Sequence, residues 1–513
     1  MFVSVNLLNV RSYKVSKIVA TFAAEAKDSK VTDLDSSIEE LDKTLDKELH
    51  LTLSRDVLPW IGQYAGMGLT SLTFDQYGSP KEADWLAAIE ARDQRAADAF
   101  LVKLQESVAE SSGDRFKRTS YKGVTIYELD TTVKSERVAF ARYGGLVLFG
   151  PEVASIHKAM DLRRNESLAG APAYSDVINQ LPRERALTVY VNGAQADKLM
   201  SGLSSSLNRM GPYGVMNMGV SWWRAGAVSL SVVEAGLQMD SVASYDLAKL
   251  SDDQMKMLRV TSKSKAADLF PENSLLFVTG QRPDLIWKAY REMLDKAAGA
   301  TDIQESMNML EKQYGVNPDK ALFPYLDGEL AIGMMPSSKG YLAVTSKTPL
   351  GAVALFETSN PNALQNTLTA LNNNLKKQRM PVTESSSGGM VMYELQDTYS
   401  KSTMVAYGLN QNYLFMGSDS NIVKDVFAGG KPLSKSDRYQ QVSRAFQSGM
   451  TLAMYVDLES LLATLRKGMS ASDQRAFDET ARYLKPVKFI AAGSSPLQGD
   501  TYRSTVIVFI QTK

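Results

Sequence analysis

Leu58-Pro59-Trp60-Ile61 returns as Phe323-Pro324-Tyr325-Leu326, an offset of 265 residues. The offset holds without a gap from Ser36 through Gly68, which fall on Thr301 through Gly333. Further out, Ile89-Glu90 matches Phe356-Glu357, and Asp93 falls on Asn360. Gly123–Leu129 matches Gly389–Leu395, and Leu148-Phe149-Gly150 matches Phe415-Met416-Gly417. Tyr190-Val191-Asn192 then matches Tyr455-Val456-Asp457, and Leu237-Gln238-Met239-Asp240 matches Leu497-Gln498-Gly499-Asp500. Order is kept throughout. Residues 1–245 and 274–513 therefore read as two diverged copies, and the polar stretch 246–273 reads as a helical linker. The copies are too long for a solenoid repeat and have the size of single large domains.

Within a copy, strands alternate with polar turns and amphipathic helices. Met1–Leu7 reads as a strand and Ser12–Ala26 as a helix. A second helix opens at Ser36, with Ile38, Leu41 and Leu45 at helical spacing, and Ser36 and Thr301 read as its N-caps in the two copies. Met67–Thr73 and Trp85–Ala91 read as strands. Asp93 caps the helix Gln94–Ser107, whose stripe is Ala97, Phe100, Leu101 and Leu104; Asn360-Pro361 and Leu364, Leu368 and Leu371 repeat that design. Strands follow at Gly123–Leu129, Val138–Tyr143, Leu146–Phe149, Ala186–Val191, Ala227–Val233 and Leu237–Tyr245. Helices are expected at Glu152–Leu162 and Ala194–Leu203. The fold class is α+β: two tandem diverged copies, each a mostly antiparallel sheet covered by helices on one face.

Composition excludes several classes. Lys+Arg and Asp+Glu both number 57, so no basic excess marks a nucleic-acid surface. No run of about 18 apolar residues marks a membrane helix, and no signal peptide opens the chain. Cysteine is absent, which removes disulfides, thiolate metal sites and Cys nucleophiles and favours an extracytoplasmic location. Phe2-Val3 aligns with Phe277-Val278, within Phe270–Val278. The first copy is thus expected to be truncated at its N-terminal strand, with a possible anchor or signal segment upstream.

Catalytic and metal chemistry finds little support. The two histidines, His50 and His157, align with Gly315 and Lys424, so neither recurs. Gly429-Gly430-Lys431-Pro432 lacks the spacing of a phosphate loop. Asp33, Asp35, Glu39, Glu40 and Asp42 open a helix, where acids complement the dipole, and lack the order of a calcium loop. Glu90 and Glu357 recur, as do Glu128 and Glu394; recurrence predicts a structural role such as a cross-strand pair. No catalytic set, metal ligand or cofactor is assigned.

The copies disagree most at residues 201–223. Here Met210, Tyr213, Met216, Met218, Trp222 and Trp223 stand in a segment whose only charged residue is Arg209, whereas residues 466–488 carry nine charges. A pliable Met/Trp surface suits contact with an apolar ligand or a protein partner; burial against the other copy is the alternative reading.

Asp56–Ile61, Ala87–Asp93, Gly123–Leu129 and Pro271–Val278 carry a family resemblance. The chain resembles the bacterial family known as the domain of unknown function three-three-five-two over most of its length. The resemblance implies bacterial cell-envelope proteins, commonly with an N-terminal membrane anchor, and brings no catalytic residue. This chain departs from it in lacking the anchor.

The expectation is a non-enzymatic extracytoplasmic binding or scaffold protein, with a protein partner or apolar ligand, no nucleic acid, and possible membrane attachment through an upstream segment. Two alternatives are a carrier of an apolar or lipid ligand, which needs an enclosed cavity, and a carboxylate-dependent hydrolase, which needs two converging acids.

Overall fold

A computed structural model describes residues 1–25, 33–74, 80–133, 136–197, 222–260, 262–298, 300–387 and 389–512. The chain forms two compact units, Met1–Lys249 and Leu250–Gln511. Residues 250–273 therefore belong to the second unit. They include a helix, Asp252–Arg259, whose N-cap Ser251 forms a capping box with Gln254. Beyond it, Ala266, Ala267 and Phe270 are buried.

The strands of the first unit are β1 (Phe2–Asn6), β2 (Ile61–Phe74), β3 (Pro80–Ala91), β4 (Phe116–Tyr121), β5 (Val124–Leu129), β6 (Ala139–Tyr143), β7 (Leu146–Gly150), β8 (Leu187–Asn192), β9 (Trp223–Val233) and β10 (Gly236–Tyr245). They pair in the order β4-β5-β6-β7-β3-β2-β1-β8-β9-β10. The second unit has β11 (Leu276–Gln281), β12 (Glu329–Pro336), β13 (Leu350–Glu357), β14 (Val382–Ser387), β15 (Met390–Gln396), β16 (Thr403–Asn410), β17 (Tyr413–Gly417), β18 (Thr451–Asp457), β19 (Val487–Ser494) and β20 (Thr501–Ile510). Their order, β14-β15-β16-β17-β13-β12-β11-β18-β19-β20, matches that of the first unit strand for strand. Each of these pairings is antiparallel. Register agrees as well: Phe2 faces Gly68 as Phe277 faces Gly333, and Ala87 faces Phe149 as Ala354 faces Met416. β1 opens at Phe2, one aligned position later than β11 at Leu276.

The sheet carries helices on both faces, not one as the sequence reading expects. In the first unit Val147 and Phe140 pack with Ala97 and Leu101 of the helix Gln94–Ser112. Their strand neighbours Leu148, Ala139 and Ala141 pack with Ile156 and Met160 of the helix Val153–Asp161. Successive strand side chains point to opposite faces, so two clusters alternating along β6 and β7 require two layers of helix. Trp60 is 1% exposed, and its indole N–H donates to the Asp56 carbonyl at 3.0 Å. It anchors the first cluster, as Leu326 anchors the corresponding cluster with Leu364, Leu368 and Leu375 in the second unit.

Helix starts follow local chemistry. Asp93 and Asn360 accept from the N–H groups of Ala96 and Ala363, and Pro361 occupies the first turn. Ser36 is not an N-cap. Asp33 caps the helix Leu34–Leu49, and Ser36 completes its capping box three residues on. Thr301 is not a cap either, since it falls inside the helix Ala300–Tyr314.

Candidate functional site

Beside β8, the first unit holds an open cleft of about 460 Å³, lined by Ala173, Asn192–Ala194, Asp197, Trp223, Arg224, Asp246 and Lys249. Its frame is built locally. Tyr190 in β8 meets Tyr174 of the helix Pro172–Ile178 edge to face, with centroids 5.0 Å apart. The Asn192 carbonyl oxygen of the side chain accepts from the Gln195 N–H at 3.2 Å and turns the chain from strand into helix.

Trp223, the first residue of β9, is seated by two glycines. A Cβ on Gly193 would stand 1.8 Å from the Trp223 carbonyl oxygen, and a Cβ on Gly226 would stand 2.2 Å from its Cζ2. Neither position admits a side chain: Gly193 makes room for the Trp223 backbone and Gly226 for its indole, and Trp223 lines the cleft. Ala194 adds a third small residue. Among the charged groups, Arg224 lies 3.8 Å from Asp176, and Lys249 lies 3.3 Å from Asp246.

The second unit has a cleft of about 620 Å³ that corresponds to the first unit's at two lining positions, Asp457 in place of Asn192 and Arg438 in place of Ala173. Tyr439 and Tyr455 repeat the edge-to-face pair at 5.4 Å, and Asp457 accepts from the Ser460 N–H as Asn192 does from Gln195. The lining differs in chemistry. Arg438 stands where the first unit has Ala173, and donates to Asp457 and to the Ser460 hydroxyl. Lys431 pairs with Glu272 at 2.7 Å. By strand register Trp223 corresponds to Val487 and Arg224 to Lys488, which pairs at 2.6 Å with Glu459, the equivalent of Ala194.

Of the sequence-predicted contact residues, Met210, Tyr213, Met216 and Met218 lie outside the described residues. Trp223 lines the cleft. Trp222 packs its ring on Tyr245, with centroids 5.5 Å apart, and its carbonyl accepts from the Asp246 N–H. Asp197, Arg224 and the glycine pair were not singled out from sequence. A signal for them existed in the copy-to-copy differences Gly193/Leu458, Gly226/Ile490 and Asp197/Leu462.

The recurrent acids are structural. Glu90 accepts from the N–H groups of Gln63 and Tyr64 at 2.8 and 3.1 Å. Glu357 accepts from the Glu329 N–H at 3.2 Å and pairs with Lys265 at 2.8 Å. In both units a glycine, Gly62 or Gly328, makes room for the glutamate; a Cβ there would approach the Glu side chain to 2.6 or 2.7 Å. Glu394 accepts from the Thr403 hydroxyl at 2.9 Å. In the acidic helix Asp33 caps, and Asp42 accepts from the N–H groups of Leu53 and Ser54. His157 stacks on Tyr121 at 3.9 Å, and His50 ends a helix in a left-handed conformation.

Among the described residues, no helix is long and apolar enough to cross a membrane. No group of three or more His, Cys, Asp or Glu among them could hold a metal ion. A family model described as "Protein of unknown function (DUF3352)" matches residues 19–510. No curated protein matches the chain. Among solved structures, crystal form I of TP0453 is similar at a TM-score of 0.22 and 11% identity, covering 49% of this chain and 76% of that one. Crystal form III of TP0453 is similar at a TM-score of 0.23 and 9% identity, covering 50% and 79%. Likenesses that weak show neither a shared fold nor a shared role.

Proposed function

The chain belongs to the DUF3352 family of proteins of unknown function, and from that premise we propose that it is a non-enzymatic binding protein of the cell envelope, derived by tandem duplication. The observation that carries the reading is the Trp223 cleft. Both units have an open cleft beside the strand that carries Tyr190 or Tyr455 and line it differently: Arg438 and Asp457 form an ion pair in one where Ala173 and Asn192 stand in the other, whose cleft Trp223 lines. Divergence of lining on a kept frame is what separate binding specificities require. The duplication is supported by the matched strand order and register. The envelope location is supported by the absence of cysteine from 513 residues.

Both described clefts are open and carry charged side chains. That favours a solvated ligand group or a partner's side chain over a wholly apolar cargo, which needs an enclosed pocket. The recurrent glutamates are engaged with backbone amides and a lysine, which weighs against a carboxylate-dependent hydrolase.

Native mass spectrometry of protein purified from its own cells tests the reading. A co-purifying small molecule or stoichiometric protein, lost in Trp223→Leu, is the expected result. A bare mass in the wild type, with no partner captured by crosslinking in those cells, would overturn it.

A further inference from the structure

Resting on the binding reading above, we propose that the Trp223 cleft takes a small organic cation, a quaternary or primary ammonium group, with the indole as its floor and Asp197 as its counter-charge. The electron-rich face of an indole attracts a cation, and Trp is the strongest of the aromatic side chains in this role. Here the ring is held against Gly226 and the Trp223 carbonyl against Gly193 before any ligand arrives, so little side-chain freedom is lost on binding.

The charges around it point the same way. Arg224 and Lys249 each already have a carboxylate, Asp176 at 3.8 Å and Asp246 at 3.3 Å. Asp197 has no ion-pair partner among the described residues, and its equivalent in the second unit is Leu462. The five charged groups, Asp176, Asp197, Arg224, Asp246 and Lys249, leave one formal negative charge in excess. An anion would have to displace an existing pair, whereas a cation meets an unmatched carboxylate and an aromatic face. A volume of about 460 Å³ accommodates a small ammonium compound or a lysine-like side chain.

The test is isothermal titration of the full chain with choline, then with its neutral carbon isostere, and with butylammonium. Saturable binding of both cations and at least about tenfold weaker binding of the isostere are expected, tenfold being about 1.4 kcal/mol. Trp223→Leu should abolish binding, Trp223→Phe should restore part of it, and Asp197→Asn should weaken it several-fold while leaving the far-UV spectrum unchanged. Equal binding of the isostere, or unchanged affinity in Asp197→Asn, would overturn the proposal. So would the absence of any cation binding by the wild type. A ligand that co-purifies with the wild type and not with Trp223→Leu would still uphold the general binding reading in that event.

Discussion

Replacing Asp56 by Asn should cost the first unit about 2 kcal/mol at neutral pH and much less in acid. Asp56 stands in the turn that leads to Trp60, and its side chain is 8% exposed. Its carboxylate accepts from the Thr52 N–H at 2.7 Å, the Thr52 hydroxyl at 3.2 Å and the Lys103 ammonium at 2.6 Å. Burial pushes its pKa up, but the Lys103 hydrogen bond, the Thr52 amide and Arg55 outweigh burial and hold it at about 2. Against an ordinary value of 3.8, that difference is worth roughly 2.4 kcal/mol of folding free energy. The sign is that of a depressed carboxyl: the stabilisation is fully present above the unfolded-state pKa and is lost as pH falls through the folded one. At about pH 3 roughly 1.3 kcal/mol of it should remain.

Urea unfolding followed by tryptophan fluorescence measures this. Four of the five tryptophans, Trp60, Trp85, Trp222 and Trp223, lie in the first unit, so the signal reports that unit. Asp56→Asn should lower the midpoint at neutral pH, and the gap should roughly halve by about pH 3. Equal midpoints at neutral pH, or a gap that ignores pH, would refute the electrostatic account of this turn.

Four further substitutions probe the fold. His50 ends its helix at φ 50° where the second unit has Gly315 at φ 73°, so His50→Gly should stabilise by about 1 kcal/mol in the same urea assay. Gly315→Ala should do the reverse, because a Cβ there would also meet Asn374 Nδ2 at 2.0 Å. Gly62→Ala, which forces the Glu90 side chain away from the Gln63 and Tyr64 amides, should lower the thermal midpoint and destabilise by roughly 1–3 kcal/mol. Glu329, 2% exposed, accepts from the Ser264 and Thr279 hydroxyls and from the N–H groups of Lys265 and Ala266. Glu329→Ala should destabilise the second unit by about 3–5 kcal/mol and speed amide exchange at residues 264–270; unchanged exchange there would refute its role as the anchor of that segment.

The element plan was legible because it rests on near-neighbour chemistry. The stripes Ala97/Leu101 and Leu364/Leu368, the caps Asp93 and Asn360, and the aligned blocks around Trp60 and Glu90 are all written in local spacing. The misplaced cap shows the limit. Ser36 has the right residue type and the wrong position, since Asp33 lies three residues earlier and accepts the Ser36 N–H, which places Ser36 inside the first turn. The helices on one face were misjudged for a related reason. Hydrophobic strand residues at successive positions, Val147 and Leu148, carry no mark of which helix covers which face.

What the sequence by itself determined is the matched order of blocks such as Leu58–Ile61 and Phe323–Leu326, the antiparallel strands with amphipathic helices, and the absence of cysteine chemistry. These follow from residue order and composition alone. Only the tertiary structure decided that Glu90 and Glu357 clasp backbone amides, that residues 250–273 belong to the second unit, and that Trp223 rests on Gly193 and Gly226. Each of these joins residues whose meeting depends on strand pairing. Gly193 and Trp223 are thirty positions apart, and their contact exists because β8 pairs with β9, turning a gap in the chain into van der Waals contact.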